Sequence, residues 1–139
     1  MGKGAVQYGA LPWRRTDGGL EILLITTRRT RRWMIPKGWP IGGLAPNEAA
    51  AQEAWEEAGV HGEAGEQAVG AFEYDKVGKV GKDGELRRLR VDVFALAVHE
   101  EAADWPEAAE RERRWFGQAE AAAVVREAEL AALLKDFRP

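Results

Sequence analysis

Three glutamates spaced for one side of a helix are the residues of this sequence best suited to chemistry. Glu56 and Glu57 follow Glu53 at i+3 and i+4, which places each about 5–6 Å from Glu53 at Cβ on a helix. Residues 47–59 contain no lysine or arginine to offset the repulsion. The pattern is typical of an acidic, solvated face or of a site where Mg²⁺ or Mn²⁺ lies between hard oxygen ligands.

The segment that carries these glutamates has the signals of a helix. Asn47 is a good N-cap, helix formers run to Ala58, and Gly59 is suited to end the helix. We expect the core face to consist of the apolar residues that recur at i, i+3, i+4 and i+7, which are Ala51, Ala54, Trp55 and Ala58. The glutamates then lie on a solvent-facing stripe.

The surrounding sequence predicts the sheet that positions this helix. Strands are expected at residues 6–11, 20–27, 69–75, 87–98 and 113–116, an extended piece at 33–35, and helices at 119–126 and 127–137. The turn signal at residues 16–19 predicts a hairpin. The run 93–98 shows no alternation, so we expect both of its faces to be covered. The pattern indicates one α/β domain over residues 1–139.

Composition excludes several classes of protein. The 139 residues are 45% hydrophobic and 31% charged, the balance of a globular domain. With no cysteine, the chain cannot hold a disulfide scaffold, a cysteine nucleophile or a thiolate zinc site. No apolar run approaches the roughly 20 residues of a membrane span, and no signal peptide is recognised, so we expect a cytoplasmic protein without a membrane partner. A net charge of −3 argues against a stable nucleic-acid complex.

Basic residues flank the acidic helix in the sequence. Residues 28–37 hold five cations and no acid, and residues 76–90 are again basic. Because arginine contacts phosphate in a bidentate manner, the two basic blocks predict a site for a phosphorylated small molecule. Taken singly, each of these residues is equally well explained as a surface cation without a role.

The stretch from Gly38 to Val60 resembles the Nudix box. That family's pattern is Gly, five residues, Glu, seven residues, then Arg-Glu-apolar-x-Glu-Glu-x-Gly-apolar, and every spacing fits over 23 residues. The matching residues are Gly38, Glu53, Ala54, Glu56, Glu57, Gly59 and Val60. The resemblance implies a Nudix-type α/β/α sandwich with a mixed β-sheet.

The resemblance also implies a chemistry, the hydrolysis of phosphoanhydride bonds with Mg²⁺ or Mn²⁺. Carried over by position, Glu53, Glu56 and Glu57 become metal ligands, joined by the carbonyl of Gly38. The catalytic base is Glu56 or Glu57, or an acid outside the box, for which the candidates are Glu73, Asp75, Glu100 and Glu101.

Two positions depart from the family pattern. Leu44 stands where the family has its first glutamate, and Gln52 stands where the family has an arginine that orients the first helix carboxylate. A glutamine amide can still donate to a carboxylate, but a neutral hydrogen bond is about half as strong as a charged one. We therefore expect Gln52 to take the orienting role, with weaker metal binding or slower turnover.

Further segments resemble one group within the family. Residues 36–40, 104–107 and 110–116 resemble the diphosphoinositol polyphosphate phosphohydrolases, which also cleave diadenosine polyphosphates. In that group, basic residues before the Trp-Phe pair lie near the substrate phosphates. The predicted substrate-binding residues are Arg28, Arg31, Arg32, Lys37, Trp39, Lys76, Arg88, Arg90 and Arg113.

Two alternatives remain open from the sequence. One is a nucleoside-triphosphate or RNA-end pyrophosphatase of the same fold. The other is a catalytically weakened module that binds a nucleotide as a sensor, which Leu44 and Gln52 favour. The three intact glutamates argue against the sensor, because anion binding gains nothing from uncompensated carboxylates. The sequence makes no prediction of the oligomeric state.

Overall fold

A mixed sheet runs through the centre of the protein. The structure is a computed structural model that describes residues 5–77 and 86–139, with backbone alone at residues 76, 77, 86 and 87. In chain order the described elements are β1 (Ala5–Thr16), β2 (Gly19–Thr26), β3 (Trp33–Met34), β4 (Lys37–Gly38), α1 (Pro46–Ala58), β5 (Val60–Ala64), β6 (Gly70–Val77), β7 (Leu86–Glu101), β8 (Arg113–Gly117), α2 (Gln118–Val124) and α3 (Ala128–Asp136).

The two long strands β1 and β7 organise the sheet. They pair in parallel from Ala5 opposite Leu89 to Trp13 opposite Ala97. On the far edge of β7, both β5 and β6 pair antiparallel, and on the far side of β1 the predicted hairpin partner β2 pairs antiparallel. Strands β3 and β8 pair with β2, and the short β4 pairs with β1. The expected hairpin and the expected mixed sheet are both confirmed.

Helices cover both faces of the sheet. One apolar cluster joins the sheet to α2 through Ala121 and to α3 through Leu130 and Leu134. A second cluster joins the other face of the sheet to α1 through Ala50, Ala54 and Ala58. Along β7 the side chain of Val93 belongs to the first cluster, and those of Phe94 and Leu96 belong to the second. Both faces of this strand are therefore covered, and the predicted α/β/α sandwich is confirmed.

Helix α1 begins earlier than predicted and ends as predicted. Its N-cap is Ala45, with Pro46 in the first turn, so the expected Asn47 cap is wrong. The carboxylate of Glu48 accepts from the backbone N–H of Ala45 at 2.8 Å. The Asn47 amide instead donates to the carbonyl of Ala64 in β5 at 3.2 Å. Gly59 ends the helix with a φ of 70°, in the left-handed region that favours glycine.

The buried stripe of α1 is rotated from the predicted one. The buried residues are Ala50, Ala54, Glu57 and Ala58, at i, i+4, i+7 and i+8, together with Ala49, whereas the predicted Ala51 is only partly buried against the core. The prediction that Trp55 faces the core is wrong. Its side chain is half-buried and stacks on His61, with ring centroids 4.4 Å apart. This rotation carries one of the three glutamates into the protein. Within the described residues, no helix is long and apolar enough to span a membrane.

Candidate active site

The three glutamates of α1 lie in different surroundings. Glu57 is only 7% exposed, whereas Glu53 and Glu56 are half-buried. The expectation that all three share a solvent-facing stripe is therefore wrong for Glu57. The Glu57 side chain lies on the same face of α1 as Ala50 and Ala54. Its carboxylate is therefore directed towards the sheet and away from solvent.

Strand β4 brings backbone directly against two of these carboxylates. Gly38 pairs with Tyr8 of β1, and its α-carbon lies so close to the Glu53 carboxylate that a methyl group there would overlap it. The backbone N–H of Lys37 donates to Oε1 of Glu57 at 3.3 Å. The glycine is thus needed because it lets Glu53 approach the strand.

The carboxyl groups of Glu53 and Glu57 interact directly. Burial raises the pKa of Glu57 to about 8, although Arg111 and Lys37 oppose the shift. Burial, and then the neighbouring Glu56, also raise the pKa of Glu53, while a hydrogen bond with Glu57 lowers it. Burial therefore favours the protonated form of Glu57 in the metal-free protein, next to a second carboxyl group whose pKa is also raised.

Glu56 takes a different partner. The amide nitrogen of Gln52 donates to its Oε2 at 2.8 Å, across one turn of the helix. The sequence led us to expect this amide on Glu53, the first carboxylate of the helix, and the structure corrects that contact. Gln52 can orient Glu56 only, and Glu53 is held instead by Gly38 and Glu57.

The residues present fit a divalent cation at the Glu53–Glu57 pair. No three histidine, aspartate or glutamate side chains in residues 5–77 and 86–139 are arranged as a ready metal site. Yet two partly buried carboxyl groups side by side are hard oxygen donors, and a cation can take the place of a bound proton. Glu53 and Glu57 are the side chains that would hold it, beside the backbone of Gly38.

The end of α1 is capped by the segment 102–113. The indole N–H of Trp105 donates to the carbonyl of Glu57 at 3.1 Å, and the backbone N–H of Glu107 donates to that of Glu56 at 3.1 Å. Arg113 donates to the carbonyl of Ala58 at 2.9 Å. These bonds satisfy carbonyls that the last turn of a helix leaves unpaired. The sequence analysis gave no role to Trp105, because its partner is distant in the chain.

Arg111 is the site residue that the sequence analysis missed. Its Nη2 lies 3.6 Å from Oε2 of Glu57, its Nε bonds to Glu107 at 2.6 Å, and its Nη1 donates to the carbonyl of Thr26 at 3.0 Å. The pair Glu107–Arg111 has the i, i+4 spacing, but this spacing is too common to single out a buried arginine.

Several predicted substrate-binding cations lie around this centre. Arg28 bonds to Glu110 at 3.0 Å and interacts electrostatically with Glu57. Arg31 donates to the carbonyl of Glu110 at 3.0 Å. The ammonium group of Lys37 lies 4.7 Å from the centre of the Tyr74 ring. Arg28 and Lys37 are therefore the predicted cations that interact electrostatically with Glu57.

A groove of about 470 Å³ lies beside Tyr74. Arg32 and Arg88 both line it, where Arg32 pairs with Glu127 at 3.1 Å and Arg88 pairs with Glu73 and Asp75 at 3.0 Å each. Two of the candidate bases, Glu73 and Asp75, are therefore engaged in ion pairs.

The remaining predicted residues lie elsewhere. Arg90 is paired with Asp92 at 2.8 Å, and Arg113 packs on the Trp105 ring and binds backbone carbonyls. A role of either in substrate binding stays a prediction. Glu101 accepts from Trp115 at 3.1 Å, and it and Glu100 pair with β5. Trp39, next to Gly38, is 42% exposed. The side chain of Lys76, and Lys79 and Lys82 altogether, lie outside the described residues.

Comparison with known proteins identifies the family. No family model matches the chain. Nudix hydrolase 12, mitochondrial, of Arabidopsis thaliana is 36% identical over 118 residues, which are 85% of this chain and 58% of that protein. Diphosphoinositol polyphosphate phosphohydrolase 3-alpha of Mus musculus is 34% identical over 105 residues, or 73% of this chain and 58% of that protein.

The fold agrees with these sequence similarities. The crystal structure of the C. elegans Ap4A hydrolase superimposes with a TM-score of 0.64 at 20% identity, over 96% of this chain and 95% of the other. The chain spans less than two thirds of the length of the two curated relatives, at 58% of each. By its sequence relatives and its fold, the chain belongs to the Nudix hydrolase family.

Proposed function

We propose that this chain hydrolyses phosphoanhydride bonds in a phosphorylated small molecule, using Mg²⁺ or Mn²⁺ held by Glu53 and Glu57. The observation that carries the proposal is the pair of partly buried carboxyl groups, with Glu53 packed against Gly38 and Glu57 accepting from the backbone N–H of Lys37. A structural role does not call for two raised carboxyl pKa values at one point, whereas perturbed pairs of this kind are typical of functional sites.

The proposal divides the work among the three glutamates. A bound divalent ion would supply neutralisation of the phosphate charge and activation of water. Glu53 and Glu57 hold the ion, with the backbone of Gly38 beside them. Glu56 stands outside the carboxyl pair, and Gln52 orients one of its oxygens, which leaves the other to accept a proton as general base. Glu57 is the alternative base.

The proposed substrate carries several phosphates. One relative is named a diphosphoinositol polyphosphate phosphohydrolase, and one structural neighbour an Ap4A hydrolase. Arg28 and Lys37 interact electrostatically with Glu57, and Arg32 and Arg88 line the neighbouring groove. We propose these four cations as phosphate contacts, and Trp39 as a surface on which a base can stack. Lys76 remains a further proposed contact. The cytoplasmic location stays a prediction, since one relative is named mitochondrial.

A screen of phosphate release tests the proposed function. The chain is incubated with Mg²⁺ or Mn²⁺ and with dinucleoside polyphosphates, inositol pyrophosphates, nucleoside triphosphates and capped RNA. We expect metal-dependent release from one of the first two classes. Release from nucleoside triphosphates or capped RNA alone would select the pyrophosphatase. Nucleotide binding without any turnover would select the sensor and contradict the proposal.

A further inference from the structure

The cationic neighbours of the buried Glu57 carboxyl group come from outside its own helix. None of residues 46–58 is a lysine or arginine, and the amide that the chain has at position 52 is neutral and bonded to Glu56. Burying a charged carboxylate without a charged partner is strongly unfavourable. The cations that act on Glu57 are Arg111 and Lys37.

Arg111 is held so that one side of its guanidinium is aimed at Glu57. Its side chain is 9% exposed. The Nη1 atom is fixed by the Thr26 carbonyl at the end of β2, and Nε is fixed by Glu107. The remaining nitrogen, Nη2, lies 3.6 Å from Oε2 of Glu57. Because both other donors are anchored on separate elements, the guanidinium has a defined position before any ligand binds.

Arg111 also joins the segment 102–113 to the helix by side chains. The same segment contacts the backbone of α1 through Trp105 and Glu107. A change at Arg111 therefore acts on Glu57 at short range, while the two backbone contacts keep the segment docked. This separation makes a positioning role testable apart from folding.

We propose that Arg111 is a positioning residue for Glu57, and that it supplies from the segment before β8 the cationic partner that Gln52 cannot supply from the helix. It holds the Glu57 carboxyl group in the position from which it would take a divalent cation. The inference rests on the proposed function only in that a cation binds at Glu53 and Glu57.

The test measures Mn²⁺ affinity directly by electron paramagnetic resonance, without substrate. The variants are Arg111→Gln, Arg111→Lys and Glu57→Gln. The control is Arg114→Gln, because Arg114 lies only three residues further along the chain but pairs with Glu120 at an exposed position. Urea unfolding of each variant in EDTA measures how far the fold is weakened.

We expect Arg111→Gln to weaken Mn²⁺ binding about tenfold, Arg111→Lys to recover part of this loss, and Arg114→Gln to leave the affinity within twofold of wild type. Equal or tighter binding by Arg111→Gln would show that repulsion between guanidinium and cation outweighs positioning, and would overturn the inference. Equal weakening by Arg114→Gln would overturn it as well. If Glu57→Gln binds Mn²⁺ as wild type does, the proposed metal site itself fails.

Discussion

The carboxyl group of Glu57 is buried, so its ionisation carries a desolvation cost. It is buried beside Glu53, and the two cations that act on it, Arg111 and Lys37, do not restore an ordinary pKa. A metal-free protein therefore keeps a proton at this position up to about pH 8. The stability of the folded chain should report that proton, because an unfolded chain releases it near pH 4.5.

In EDTA, we expect the free energy of unfolding to fall as the pH rises from about 4.5 to about 8. Over this window the folded state binds more protons than the unfolded state, so the slope from Glu57 is negative, at most about 1.4 kcal/mol per pH unit. The stabilisation that the bound proton gives the folded state is complete below about pH 4.5 and is lost above about pH 8. Urea unfolding at pH 5, 6, 7 and 8 measures it. Glu57→Gln should flatten the slope, and identical slopes would contradict the assignment.

Glu56 and Glu57 should differ when each is changed to glutamine. Glu57→Gln removes a proposed metal ligand, and we expect turnover to fall at least about 100-fold even at saturating Mg²⁺. Glu56→Gln removes the proposed base, and we expect a fall of about 10²–10⁴-fold with little change in metal affinity. Steady-state rates measured alongside the exposed control Glu63→Gln test this. Near-wild-type turnover of Glu57→Gln would contradict the site.

At the scale of elements, the last turn of α1 depends on the segment 102–113. Trp105, Glu107 and Arg113 satisfy three successive carbonyls of the helix, from Glu56 to Ala58. The helix that carries the carboxylates is therefore fixed at its end by residues 48 to 55 positions later in the chain. Docking of this segment determines where Glu57 stands.

We expect Trp105→Phe to lower the free energy of unfolding by about 1 kcal/mol, since it keeps the ring and removes the N–H that bonds to the Glu57 carbonyl. Trp115→Phe is the matched control, because its indole N–H bonds to Glu101 at an exposed position. Chemical denaturation compares the two. Equal effects would show that the capping bond contributes nothing beyond an exposed one.

The accuracy of the predictions from the sequence differs from one element to another. Strands with β-branched, apolar runs, such as residues 20–27, were placed within a residue or two. Strand β5 was missed because Val60–Ala64 contains glycine and charge and is extended only through its pairing with β7. The box predicted Gly38 and the glutamates correctly as neighbours, but the rotation that buries Glu57 depends on how alanines pack against the sheet. No local pattern encodes the approach of Arg111.

At the scale of the whole molecule, several cations of the basic blocks already have acidic partners. Arg28 and Arg88 each pair with an acid at an exposed position, where an ion pair contributes at most about 1 kcal/mol. Such a pair can be exchanged for a phosphate, since a charged hydrogen bond replaces another. Under the proposed function, these two arginines would therefore contact a substrate that carries several phosphates.

We expect the Michaelis constant for a dinucleotide with five or six phosphates to lie well below that for one with two. The difference between these two Michaelis constants should decrease at high salt, because the Debye length is about 8 Å at physiological ionic strength and shorter above it. Lys37→Ala should shrink this difference, while Arg14→Ala, paired with Glu21 outside the proposed site, should not. A salt-insensitive preference for two phosphates would contradict a role for the basic blocks.

The central claim is that Glu53 and Glu57 together form a site for one divalent cation. The most direct test is a Mn²⁺ titration followed by electron paramagnetic resonance at pH 8, comparing wild type with Glu53→Gln/Glu57→Gln and with the exposed control Glu63→Gln. We predict that wild type and the control bind Mn²⁺ alike and that the double variant binds at least about 100-fold more weakly. Unchanged affinity in the double variant would contradict the claim.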